Sequence, residues 1–147
     1  MIIREATSED REHVITMACR FLADSVYSPL IRIDPARLGE LVDTVMRDVG
    51  VVFVAEDTHQ VLTGFLALLK LPHPMNGDLY AEELAWWVAP EARGGSAAGR
   101  LLRAAEKWAR DQGLRVIKMG APVGSPVGAH YVRLGYSPLE VTYTKRL

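Results

Sequence analysis

The sequence predicts an α/β fold: three layers, with helices on both faces of a central, mixed and mostly antiparallel sheet. Three observations carry this. Strand-like and helix-like stretches fall in the order β-α-α-β-β-β-α-β-α-β. Strands that follow one another directly call for hairpins, and these come early; strands separated by helices call for crossovers, and these come late. Finally, one strand-like run holds adjacent tryptophans, Trp86 and Trp87. They point to opposite faces, so this strand is central and covered on both sides.

Taken in order, "MIIREA" opens the chain as an edge or first strand. Thr7 or Ser8 caps a helix with acidic Glu9 and Asp10 in its first turn. Val14, Met17, Ala18, Phe21 and Leu22 recur along it at helical spacing and form a buried stripe. Cys19 beside the stripe reads as packing. A second helix starts at Asp34 with Pro35 in its first position, and Gly39 weakens its interior. Gly50 to Asp57 and Gln60 to Leu71 read as strands joined by a turn at Thr58 and His59. "PHPMNGD" is a loop, and Leu79 to Val88 is the strand of the two tryptophans. A helix follows with Leu101, Leu102, Ala105, Trp108 and Ala109 on one face, stopped by Gly113. "LRVIKMGA" reads as a buried strand, "PVGSPVG" as a loop, "AHYVRL" as a short helix stopped by Gly135, and "YSPLEVTYTKRL" as a terminal strand.

The chain has 147 residues, 49% of them hydrophobic and 24% charged, with a formal net charge of -1. That suits one domain over residues 1–147 with a substantial core. The near-neutral balance gives no case for nucleic acid or an anionic membrane. No apolar run is long enough for a membrane span, and the charged start lacks a signal-peptide core. A single cysteine forms no internal disulfide and points to a reducing cytoplasm. The four histidines lack metal-ligand spacing, so no metal is expected. The sequence leaves a homodimer open.

Between the tryptophan strand and the next helix lies Arg93, Gly94, Gly95, Ser96, Ala97, Ala98 and Gly99. Small residues let a ligand approach the backbone, and a helix N-terminus offers free N–H groups and partial positive charge. Together they suit a phosphate. Gly94 and Gly99 match P-loop spacing, but Arg100 and Leu101 stand where Lys and Ser/Thr are required. The dinucleotide pattern G-x-G-x-x-G is absent.

A third ligand class is the pyrophosphate of coenzyme A. Val88-Ala89-Pro90 followed by Arg93-Gly94-Gly95-Ser96-Ala97-Ala98, and Tyr131-Val132-Arg133-Leu134-Gly135-Tyr136 further on, resemble two motifs of the GNAT superfamily of N-acetyltransferases. Ser96 departs from the family's usual glycine. The resemblance implies acetyl-CoA as co-substrate, bound by Arg93 to Gly99 and by the backbone of Trp87 and Val88. It implies direct transfer to a primary amine, with Tyr131 beside the sulfur and a base on the preceding strand, Glu82 or Glu83. Strand alternation groups Glu82 with Leu84, Trp86 and Val88, and Glu83 with Ala85 and Trp87; the family's spacing favours Glu82. The alternative is a non-catalytic module of the same fold that binds CoA or a partner.

Overall fold

The apolar runs of the sequence become adjacent strands of one sheet. The computed structural model describes residues 1–147 and places β1 (Ile2–Glu5), β2 (Gly50–Glu56), β3 (Leu62–Pro72), β4 (Leu79–Val88) and β5 (Ile117–Lys118) side by side in chain order. The first four are antiparallel neighbours, whereas β5 lies parallel to β4. The fold is therefore the mixed, mostly antiparallel α/β architecture that the sequence predicts.

Both faces are covered. Helices α1 (Arg11–Asp24) and α2 (Pro35–Thr44) pack Val14, Met17 and Val42 against Val52, Phe65 and Trp87. On the opposite face α3 (Ala97–Asp111) and α4 (Pro126–Arg133) pack Leu101, Leu102 and Tyr131 against Phe53, Leu66 and Leu68. Trp87 thus belongs to the α1/α2 face and Trp86 to the α3/α4 face.

Local chemistry sets the helix ends. The Asp10 carboxylate accepts the Thr7 N–H at 2.8 Å and pairs with Arg4 at 2.7 Å, closing a short 3-10 turn (Ser8–Asp10) before α1. The Asp34 carboxylate accepts the Arg37 N–H at 3.1 Å, and Pro35 opens α2. Gly39, poor for a helix, has a packing reason. A Cβ there would stand 2.6 Å from the Arg11 guanidinium, which crosses to Asp43 at 2.7 Å. The glycine lets α1 and α2 close on each other. A π turn, Val45–Val49, then leads into β2.

Three expectations are corrected at the C-terminal end. "LRVIKMGA" gives only the two partly buried residues of β5. The helix around Tyr131 begins earlier than "AHYVRL": Ser125 accepts the Val127 N–H and Pro126 takes the first position, so part of the expected loop is helical. "YSPLEVTYTKRL" forms no strand, and residues 137–147 are exposed. A strand needs a ladder to offset the entropy of ordering it, and β5 is too short to template one. Arg146 alone ties the segment down, donating to the Pro29 carbonyl.

Candidate active site

The sheet opens at β4. Pairing with β5 ends at Glu82 opposite Lys118, so the rest of β4 has no neighbour on that side. On its other edge β4 carries a bulge. Ala67 faces Ala85, but Leu68 faces Glu83, which leaves Leu84 as an extra residue. Leu84 and Ala85 consequently both line the α1/α2 face. The bulge overturns the simple alternation. Glu83 falls on the same face as Trp86, not with Ala85 and Trp87, and Glu82 parts from Trp86 and Val88.

This reversal separates the two carboxylates. Glu82 accepts the Tyr80 hydroxyl at 2.6 Å and lies 3.4 Å from the Lys118 ammonium. It is a paired surface carboxylate. Glu83 stands at the root of the opening, where one of its oxygens, Oε2, accepts the Gly120 N–H at 2.8 Å and faces the Tyr131 hydroxyl at 3.4 Å. Burial pushes the Glu83 carboxyl up to about 7, although both donors favour its charged form. Tyr131 is only 5% exposed and lies between Trp86 and Tyr136, with ring centroids 5.8 and 5.2 Å away. Burial first, then the Glu83 charge, raises its hydroxyl well above the usual phenol range. Tyr136 donates to Glu106 at 2.9 Å, which fixes the ring behind Tyr131.

Beyond β4 a 3-10 turn (Pro90–Ala92) leads to the small residues. Gly94 has φ +85°, a conformation that L side chains rarely adopt. The N–H groups from Gly94 to Gly99 find no acceptor in the protein. Ser96 is the residue before α3, and its hydroxyl caps nothing. Ala97 is buried and Ala98 partly buried, which anchors the helix, while Gly95 is exposed. The turn is a row of unpaired donors at the N-terminus of a long helix, the arrangement that suits a diphosphate.

Two predicted binding residues have partners within the protein. The Arg93 guanidinium donates through Nε to the Val88 carbonyl at 2.9 Å, bracing the end of β4. Trp87 is turned away. Ala89 donates to the Thr63 carbonyl, and antiparallel alternation then directs the N–H and C=O of Trp87 at Phe65 on β3. The backbone groups of Trp86 and Val88 face the opening instead. The sequence reading missed the bulge at Leu84, the Gly120 N–H and the part of Trp86, whose buried indole N–H has no partner. Strand alternation put Glu82 on the face of Trp86, and the bulge puts Glu83 there instead.

The acetyltransferase (GNAT) family pattern matches residues 20–136. No curated protein matches the sequence. Similar solved structures include a transcriptional regulator from Bacillus halodurans C-125, at 22% identity over 99% of both chains with a TM-score of 0.79. AAC(6')-Iy in complex with the bisubstrate analog CoA-S-monomethyl-acetylneamine is 20% identical over 99% of this chain and 98% of that one, with a TM-score of 0.78. Aminoglycoside antibiotic 6'-N-acetyltransferase AAC(6')-IG from Acinetobacter haemolyticus is 20% identical over 100% of this chain and 99% of that one, with a TM-score of 0.72. These likenesses establish the shared fold. With the family pattern spanning both the opened β4 and the small-residue turn, the chain belongs to the acetyltransferase (GNAT) family.

Proposed function

We propose that the protein transfers an acetyl group from acetyl-CoA directly to a primary amine. The observation that carries this reading is the Glu83–Tyr131 contact at the root of the opening, beside the unpaired N–H turn. The site fits the co-substrate. The donors of Gly94 to Gly99 suit its diphosphate, and the open backbone edge of β4 with the orphaned Trp86 indole N–H suits its amide-bearing arm. Arg93 acts by holding β4 in place. Acetyl-CoA supplies the acetyl group as a thioester.

The chain's own residues then move protons. An alkylammonium has a pKa of about 10.4 and attacks only after losing a proton. Handing that proton to a carboxylate near 7 costs about 4 to 5 kcal/mol; to an ordinary carboxylate it would cost about 8. The environment of Glu83 therefore lowers the cost by roughly 3 to 4 kcal/mol. The N–C bond forms, the C–S bond breaks, and the sulfur needs a proton. Tyr131 gives its hydroxyl hydrogen to the sulfur and recovers one from protonated Glu83, so one of the two protons the ammonium loses ends on the thiol, and the other, shed by the nitrogen as the amide forms, leaves to solvent. A backbone N–H on the open edge of β4 stabilises the oxygen that gains charge.

Aminoglycoside acetyltransferases among the similar structures support amine acetylation as the reaction class. A non-catalytic module would give no use to a carboxylate held near 7 against a buried tyrosine. The test is thiol release from acetyl-CoA across a panel of primary amines. Glu83→Gln should lower the rate about 10² to 10⁴-fold at neutral pH. Acetyl-CoA binding with no amine-dependent thiol release across the panel would favour the non-catalytic module.

A further inference from the structure

On the α1/α2 side of β4 lies a cavity of about 110 Å³ whose lining is wholly hydrophobic. Val14, Ala18 and Phe21 of α1, Leu38 and Val42 of α2, and Phe65 of β3 are among the residues of its wall. Its last wall is the bulge itself, Leu84 and Ala85, directly after Glu83. The bulge is what turns two consecutive side chains of β4 into the cavity while Glu83 points to the other face. Because β4 has no neighbour beyond Glu82, no strand separates the two faces of the sheet along that edge.

The cavity is not sealed. Leu84 is 37% exposed, and Phe21, Leu22, Leu38 and Leu41 are partly exposed. The connector between α1 and α2 adds exposed Val26, Tyr27, Leu30 and Ile31 at the ends of the same helices. A wholly apolar lining favours an apolar guest over water: an engineered apolar cavity of about 150 Å³ binds benzene. Nothing in the lining can satisfy a hydroxyl or an ammonium, and burying either unpaired is costly.

We propose that this cavity receives the non-reacting part of the acceptor, which is a primary amine carrying an aryl or short aliphatic group. The assignment rests on the acetyltransferase reading and specifies its substrate class. The hydrophobic group enters between α1, α2 and the bulge, and the amine is left at the opening within reach of Glu83. A polyhydroxylated amine sugar or a polyamine gains nothing from such a wall.

The test uses 2-phenylethylamine and hexylamine against kanamycin and spermidine, with acetyl-CoA binding measured separately by calorimetry. The hydrophobic amines should give kcat/KM at least tenfold higher, and should shift the methyl resonances of Leu38, Val42 and Leu84. Ala18→Leu and Ala67→Val, which fill the cavity from two sides, should raise KM for 2-phenylethylamine tenfold or more. Both should keep acetyl-CoA affinity and retain or raise the melting temperature. A cavity that is only loose packing predicts higher stability with unchanged KM, which would overturn the proposal. Faster turnover of kanamycin or spermidine, or methyl resonances that do not move, would overturn it while leaving acetyl transfer standing. Failure to bind acetyl-CoA would overturn both.

Discussion

Glu83 is the group of the site whose altered proton affinity lies at neutral pH. Its carboxyl binds its proton more tightly in the folded chain, near 7, than at the ordinary value of 4.5. Folding is therefore unpenalised by this group below about 4.5, and stability falls as pH rises from there to about 7. The whole window is worth at most about 3.5 kcal/mol, since a tenfold change in proton affinity corresponds to about 1.4 kcal/mol. Glu83→Gln removes the ionisation and keeps an acceptor for the Gly120 N–H. Its melting temperature relative to wild type should rise between pH 5 and pH 8, by several degrees at about 2 to 4 °C per kcal/mol for a chain of this size. A pH-independent difference would mean that Glu83 titrates normally. In catalysis the same raised proton affinity predicts a wild-type rate that climbs to a plateau above pH 7, whereas the Gln variant, left with amine that is already neutral, should be slower and should keep climbing toward the amine's pKa of about 10.4. Tyr131→Phe keeps the ring between Trp86 and Tyr136 but removes the hydroxyl. It should lower kcat about 10²-fold with little change in acetyl-CoA affinity, because the thiolate needs its proton only as the C–S bond breaks. Unchanged kcat would free Tyr131 from the proton path.

At the scale of elements, the turn before α3 separates conformation from binding. Gly94→Ala places a Cβ at φ +85° and should cost about 1 to 2 kcal/mol of stability, read as a lowered denaturation midpoint. Gly95 has ordinary backbone geometry, and a Cβ there meets nothing nearer than 3.6 Å. Gly95→Glu should leave stability nearly unchanged while setting a carboxylate among the donors. Much of this was legible. Leu79–Val88 has the bounds the sequence predicts, with the tryptophans on opposite faces, and the free donors follow from small residues at a helix start. The bulge was not legible, because Leu84 differs in no way from an ordinary inward-facing leucine. Which glutamate meets Tyr131 depends on that one residue, so periodicity alone assigned the faces wrongly. The terminal segment failed for the opposite reason. Leu139, Val141 and Tyr143 alternate as a strand would, but pairing requires a partner edge that composition does not reveal.

Over the whole molecule, stability and function are divided along the sheet. Strands β1 to β4 form a continuous ladder filled on both faces, and the sheet opens only where β4 outruns β5. Amide exchange should follow that division: slow in β2 and β3, and unprotected from Ser137 to Leu147, which form no backbone hydrogen bonds. Protection there that is lost on dilution would contradict a free segment and point to pairing with a second copy. In the proposed reaction acetyl-CoA enters the opening with its diphosphate on the small-residue turn, and every later step depends on that placement. Calorimetric titration of acetyl-CoA into wild type and Gly95→Glu measures it most directly. Wild type should bind at one saturable site, and the equally stable Gly95→Glu should bind at least tenfold more weakly. Equal affinity in the two proteins, or no binding to wild type, would contradict the placement and the reaction built on it.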